Sequence, residues 1–150
     1  MPPITVFVAD SDKRRCNLCL SLLRTAKIRV IGTARNAAEA ITSADLKPQV
    51  LLFDLKLNEN RDMPTLMCLR AKIPQTKVIL LSGRAPDTLI LDAISQGARG
   101  YLNSTLVRRF LVKAVRVVNA GESWVPRAMV AKLIDRLTRL NLEKSRLVKT

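Results

Sequence analysis

Three residues stand where short apolar runs end: Asp10 after Ile4–Ala9, Asp54 after Val50–Phe53, and Ser82 after Lys77–Leu81. Two carboxylates and a hydroxyl have a definite chemistry if the chain brings them together. Like charges at close range are costly unless a cation lies between them, and hard oxygen donors point to Mg2+. Asp54 is then a candidate nucleophile, because a carboxylate can attack a phosphoryl donor once a metal neutralises the incoming oxygens. Ser82 offers a hydroxyl to one of those oxygens. Each residue alone reads better as a cap on a turn or helix, but three of them at three strand ends favour the chemistry.

The elements that must position this set follow from pattern. Ile4–Ala9 is a β-branched and aromatic run followed by Asp10-Ser11-Asp12, which reads as a buried strand and a helix start. Helical spacing of Cys16, Leu20 and Leu23 predicts a helix over 12–26, and a second strand spans 28–34. Asn36 with Glu39 forms a capping box for a helix over 37–45, which Lys47-Pro48 breaks. Val50–Phe53 is the third strand. After a polar loop, Met63-Pro64 opens a helix to about Lys72. Lys77–Leu81 is the fourth strand, 86–96 a helix stopped by Gly97, 99–102 a fifth strand, and 107–119 a helix stopped by Gly121. Near-continuous apolar strands alternating with helices predict an α/β fold, a five-stranded parallel doubly wound sheet covered on both faces. In such sheets the functional crevice lies beyond the carboxyl ends of the strands, where Asp10, Asp54, Ser82 and Ser104 fall. Strands one and three are neighbours in that arrangement, so Asp10 and Asp54 should face each other.

Composition bounds the alternatives. With 150 residues, 48% hydrophobic and 25% charged, the chain suits one globular domain with a short appendage. It has no histidine, which removes Ser-His-Asp catalysis, histidine phosphotransfer and most zinc chemistry, and leaves no general base once Asp54 is assigned, so no enzyme is expected. Cys16, Cys19 and Cys68 lack a second pair and read as small buried or half-buried thiols. No apolar run has membrane-span length and the Met-Pro-Pro start is unlike a signal peptide, so a soluble, cytoplasmic protein with no membrane partner is expected. The net charge of +14 suits an acidic partner. It is uneven: from Arg108 onward there are eleven basic residues against Glu122, Asp135 and Glu143.

Val8-Ala9-Asp10, Leu52-Phe53-Asp54-Leu55, Leu80-Leu81-Ser82-Gly83 and Gly97-Ala98-Arg99-Gly100-Tyr101-Leu102 resemble, in order and spacing, the successive blocks of a two-component response-regulator receiver domain. The resemblance covers residues 4 to about 120 and implies a flavodoxin/CheY-like fold. The segments Ala120–Pro126 and Ala131–Leu137 resemble the linker of the LuxR/NarL-like subfamily, whose C-terminal helix-turn-helix output is expected to be lacking here. The expected organisation is a receiver over 1–121, then a linker and C-terminal helix over 122–150. The resemblance implies a phosphate-controlled switch: a sensor histidine kinase phosphorylates Asp54, and Mg2+ is held by Asp10, Asp54 and the backbone carbonyl of Lys56. Ser82 then moves toward the phosphate, and Tyr101 swings inward behind it. Control of transcription would pass through a DNA-binding output domain or partner.

Three positions depart from the family pattern. Ser11 stands where a second metal-binding acid is usual, with Asp12 one residue late. Ser104 stands where a phosphate-pairing lysine is usual, and Asn58 where a proline follows the acceptor. Losing one carboxylate and one cation makes the acceptor site partly degenerate and its Mg2+ weak. Lys56 or Arg84 are the candidates to substitute. Restoring both groups, Ser11→Asp with Ser104→Lys, is expected to strengthen Mg2+ binding.

Toward the C-terminus, Val107, Phe110, Leu111, Ala114, Val117 and Val118 form one helical face. Val130, Leu133, Leu137, Leu140 and Leu147 form a heptad-like seam, interrupted by Lys144, on a helix expected over 126–147. The seam packs either on its own domain, with Met129 and Ile134 widening the stripe, or on a second copy as a homodimer. The alternative function is therefore a phosphorylation-independent dimerisation or docking module.

Overall fold

The computed structural model describes residues 2–58 and 63–149, so part of the polar loop expected after Asp54 lies outside the described residues. Five strands, β1 (Thr5–Ala9), β2 (Arg29–Ala34), β3 (Val50–Asp54), β4 (Lys77–Ser82) and β5 (Gly100–Asn103), form one sheet in the order β2-β1-β3-β4-β5, every pair parallel. Six α-helices alternate with and follow them: α1 (Lys13–Thr25), α2 (Ala37–Thr42), α3 (Thr65–Lys72), α4 (Asp87–Ser95), α5 (Val107–Asn119) and α6 (Arg127–Lys149). This is the expected doubly wound, CheY-like fold.

Because successive side chains in a strand point to opposite faces, a sheet covered on both sides needs apolar residues at every position. Val6, Val8, Val50, Leu52, Ile79 and Leu81 face α1 and α5, where they meet Cys19, Leu23, Leu111 and Val115. The intervening Phe7, Ala9, Leu51, Phe53 and Leu80 face the other side with Leu66, Leu69 and Ile90. Each fully buried Leu or Val of this kind contributes about 1.5–3 kcal/mol.

Local signals set the boundaries. Asn36 accepts from the Glu39 amide at 2.8 Å while the Glu39 carboxylate accepts from the Arg35 amide at 2.8 Å, a capping box displaced by one residue at its second bond. The helix expected to reach residue 45 ends at Thr42 and tightens into a 3-10 turn over Ser43–Leu46, closed by Lys47 in the left-handed region. Asn58, at the position of the family's proline, accepts from the Leu66 amide and donates to Gln96, tying the β3 exit to α3 and α4. On α5, Val115 joins the buried face that was read from Val107, Leu111, Ala114 and Val118, while Phe110 is half-buried against Trp124.

The segment after α5 returns along the edge of β5. Tyr101 N–H donates to Trp124 O at 2.8 Å and Trp124 N–H to Arg99 O at 3.1 Å. Gly100 permits this approach, since a Cβ there would stand 3.3 Å from Trp124 O. Pro126 then opens α6, which lies against α4. Only part of the expected seam packs on its own domain, and the second-copy alternative is untouched by a single chain. Met129 is buried and Leu133 is partly buried against the core, but Val130, Leu137 and Leu140 are 42%, 58% and 50% exposed. The docked face runs through Met129 and Leu133, and beside it Lys132 pairs with Asp87 and Arg136 with Asp92 on α4.

Candidate functional site

Parallel neighbours β1 and β3 end at the same edge, which brings Asp10 and Asp54 together. Both are buried, at 0% and 1% exposure. On Asp54, Oδ2 accepts from the Ser11 amide at 3.0 Å and from the Ser11 hydroxyl at 2.5 Å, and Oδ1 accepts from the Lys56 amide at 3.0 Å. On Asp10, Oδ1 accepts from the Asp12 amide at 2.9 Å. Asp12, one residue late for the family's second acid, caps α1 by accepting from the Arg15 amide.

A cation does lie between the two carboxylates, and it is Arg15. Its guanidinium grips Asp10 with two parallel bonds, Nε to Oδ2 and Nη2 to Oδ1, each 2.7 Å. The same Nη2 stands 3.2 Å from Asp54 Oδ1, so one nitrogen bridges both acids. Nη1 donates to Ser104 Oγ at 2.8 Å, and Ser104 in turn donates to the Ser82 carbonyl at 3.0 Å. Among the described residues the side chain that ion-pairs with Asp54 is thus Arg15, and not Lys56 or Arg84, the candidates named from sequence.

Sequence reasoning passed over Arg15, though a signal existed. It belongs to Lys13-Arg14-Arg15 in the first turn of α1, a turn without an acidic residue. Cations there oppose the helix dipole. A local rule broken at a strand-end crevice is a mark of a site.

The environments push the two acids apart. Burial pushes the Asp10 carboxyl above the ordinary carboxylate range, against the opposing pull of Arg15. For Asp54, burial also pushes upward, but the Ser11 hydroxyl, the Lys56 and Ser11 amides and Arg15 outweigh it and hold the group below that range. Nearby thiols take no part: burial pushes Cys16 up, and Cys19 up to about 12.

Ser82 Oγ and Tyr101 Oη are hydrogen-bonded at 3.0 Å, and Tyr101 is 7% exposed. Tyr101 therefore already points inward. It also lines a cleft of about 550 Å³ with Ile90, Pro126 and Met129, at the root of α6. A second cavity, of about 360 Å³, lies over Asp54 and is lined by Arg15, Lys56, Ser82, Arg84 and Ser104 among others.

The family model described as "Response regulator receiver domain" matches residues 6–116. The chain is a response-regulator receiver domain. It is 29% identical over 135 residues to the transcriptional regulatory protein LnrK of Bacillus subtilis (strain 168), covering 89% of this chain and 61% of that protein. It is 27% identical over 135 residues to the response regulator protein VraR of Staphylococcus aureus (strain NCTC 8325 / PS 47), covering 89% and 65%. The receiver thus spans less than two thirds of either relative. Among solved structures it resembles the isolated receiver domain of RcsB from Salmonella enterica serovar Typhimurium in the presence of the phosphomimetic BeF3−. That match has a TM-score of 0.74 and 17% identity, and covers 88% of this chain and 99% of that one. Receivers are signalling modules of two-component systems, and they interact with sensor kinases. No helix among the described residues is long and apolar enough to cross a membrane.

Receivers generally bind Mg2+ at the phosphorylation site. The residues of this one do not fit the ion. Mg2+ needs free oxygen lone pairs in near-octahedral array. Here both oxygens of Asp54 carry two contacts each, and both oxygens of Asp10 are engaged by Arg15. Among the described residues no group of three or more acidic, cysteine or histidine side chains is gathered to hold a metal. The expected ligand set of Asp10, Asp54 and the Lys56 carbonyl therefore meets a guanidinium already in position.

Proposed function

We propose that this receiver is a phosphorylation-independent interaction module that takes part in transcription control through an output domain or a partner. The observation that carries the reading is the state of Asp54: buried, with both oxygens hydrogen-bonded or ion-paired. A carboxylate nucleophile needs an unengaged lone pair and an open approach, and this one has its charge spent on Ser11, Lys56 and Arg15. The module then divides into a receiver body over 1–121 and an arm over 122–150. The arm carries Val130, Ile134 and Leu137 as an exposed apolar stripe for a second copy or an output element. The relatives named as a transcriptional regulatory protein and a response regulator support transcription as the process served; a cytoplasmic location and DNA reached through an output domain belong to the same proposal.

A second reading has the cavity over Asp54 in its favour: Lys56, Ser82 and Arg84 border space that a phosphoryl group could enter. In that reading Asp54 remains a slow phosphoacceptor for a sensor histidine kinase. The two are separated by incubating the protein with acetyl phosphate, or with beryllofluoride, in the presence of Mg2+ and recording intact mass and amide NMR spectra. The expected result is no added mass and unchanged Ser82 and Tyr101 amides. Stoichiometric labelling of Asp54 with movement of those amides would overturn the proposal in favour of the second reading.

A further inference from the structure

We infer that Arg15 is a tethered substitute for the divalent cation, and that Ser11, Arg15 and Ser104 form one matched charge set covering a latent metal site. The inference deepens the reading above, but its test reads metal occupancy rather than phosphorylation, so the two can fail separately.

The charges require the match. Asp10 and Asp54 bring two negative charges to a buried edge. One guanidinium supplies a single positive charge, and the amides of Ser11, Asp12 and Lys56 with the Ser11 hydroxyl spread over what remains. A third carboxylate at position 11 would leave two uncompensated charges against one guanidinium, where a divalent ion would leave one. A neutral residue there is what a monovalent cation can sustain. Ser11 also does what a carboxylate could not, because its hydroxyl donates to Asp54 beside the backbone amide that any residue there supplies.

Position 104 follows the same logic. Its hydroxyl accepts from Arg15 Nη1 at 2.8 Å while donating to Ser82 O. A lysine ammonium has no acceptor atom and would set a second cation against the guanidinium. Both departures from the family pattern are therefore what a buried Arg15 demands. Read one at a time, Ser11 and Ser104 are losses. Read with Arg15 they are a replacement.

The expectation that Ser11→Asp with Ser104→Lys strengthens Mg2+ binding then acquires a condition: Arg15 must go as well. The experiment compares four 150-residue proteins: wild type, Arg15→Ala, the double Ser11→Asp/Ser104→Lys, and the triple that adds Arg15→Ala to that pair. Each is titrated with Mn2+, reading paramagnetic broadening of the amides of residues 10, 11, 54 and 56, and with Mg2+, reading Tm. Wild type is expected to show no saturable broadening at those amides and no rise in Tm. The triple should bind at least about tenfold tighter than the double, as expected when a buried like-charge neighbour of the ion is removed.

Saturable Mn2+ binding at those four amides of wild type would overturn the inference. So would a double variant that binds as tightly as the triple, since Arg15 would then be no obstacle. If Arg15→Ala does not fold alone, recovery of its folded spectrum on adding Mg2+ supports the inference, as does a folded, metal-binding triple. Failure of both to fold or bind in Mg2+ counts against it.

Discussion

The ion pairs at the strand ends of this receiver and those between α4 and α6 differ in where they lie rather than in what they are made of. At the strand ends, Arg15 meets Asp10 and Asp54 with side chains 7%, 0% and 1% exposed. Along the outside, Lys132 meets Asp87 with both side chains 53% exposed, and Arg136 meets Asp92 at 22% and 54%. An exposed pair competes with water and salt and is worth about 0–1 kcal/mol. In a buried set the charges have already left water, so removing one partner strands the others without solvent. The inner set therefore constrains the fold, whereas the outer set orients a helix that apolar contacts hold.

The sharpest way to break that contrast is to remove Arg15. Arg15→Ala should cost about 3–5 kcal/mol in urea unfolding, because it leaves two buried carboxylates unpaired. A loss under about 1 kcal/mol would mean that the inner set behaves like a surface pair. The same site can be probed without mutation by following the carboxyl carbons of the aspartates through an acid titration. Asp54 should titrate below the ordinary Asp value of about 3.9 and Asp10 above it. The opposite order would show that Arg15 serves Asp10 at the expense of Asp54.

Next in size is the apolar root of the outer region. Met129 is 5% exposed, and Met129→Ala should cost about 2–5 kcal/mol and loosen α6, seen as faster amide exchange in residues 128–136. Lys132→Ala and Arg136→Ala should each cost at most about 1 kcal/mol, and that cost should fade in high salt. Smallest is Leu137→Ala: at 58% exposure it should change monomer stability by no more than about 0.5 kcal/mol. If Leu137→Ala instead lowers Tm in a concentration-dependent way, the exposed stripe of α6 is covered by a second copy.

What could be read from sequence was whatever leaves a periodic or terminal mark. Runs such as Val50–Phe53 are legible because both faces of the sheet are covered, and each run ends at the residue it presents to the crevice. Asp10, Asp54 and Ser82 were legible for that reason, and Asn36 and Gly97 because capping and left-handed turns restrict residue type. Arg15 was not, because a basic residue in a Lys-Arg-Arg run reads as solvated. Whether its side chain turns inward depends on Asp10 five residues earlier and Ser104 eighty-nine residues later. The rotation of α6 was obscured differently. That helix carries apolar residues on more than one face, and which of them is docked depends on the cleft that receives Met129 and on Asp87 and Asp92, all on other elements.

The length of α6 has a mechanical consequence. Its 23 residues extend about 34 Å, yet its buried apolar anchor, Met129, sits in the first turn beside the cleft that Tyr101 lines. A rod whose apolar anchor lies near one end, with Lys132 and Arg136 steadying its first half, is a lever. A tilt of about 5° at that fulcrum displaces the far end by about 3 Å, by the length of the helix alone. Whatever is joined to the distal turns would feel a small repacking around Tyr101 as a change of position, without the sheet having to move.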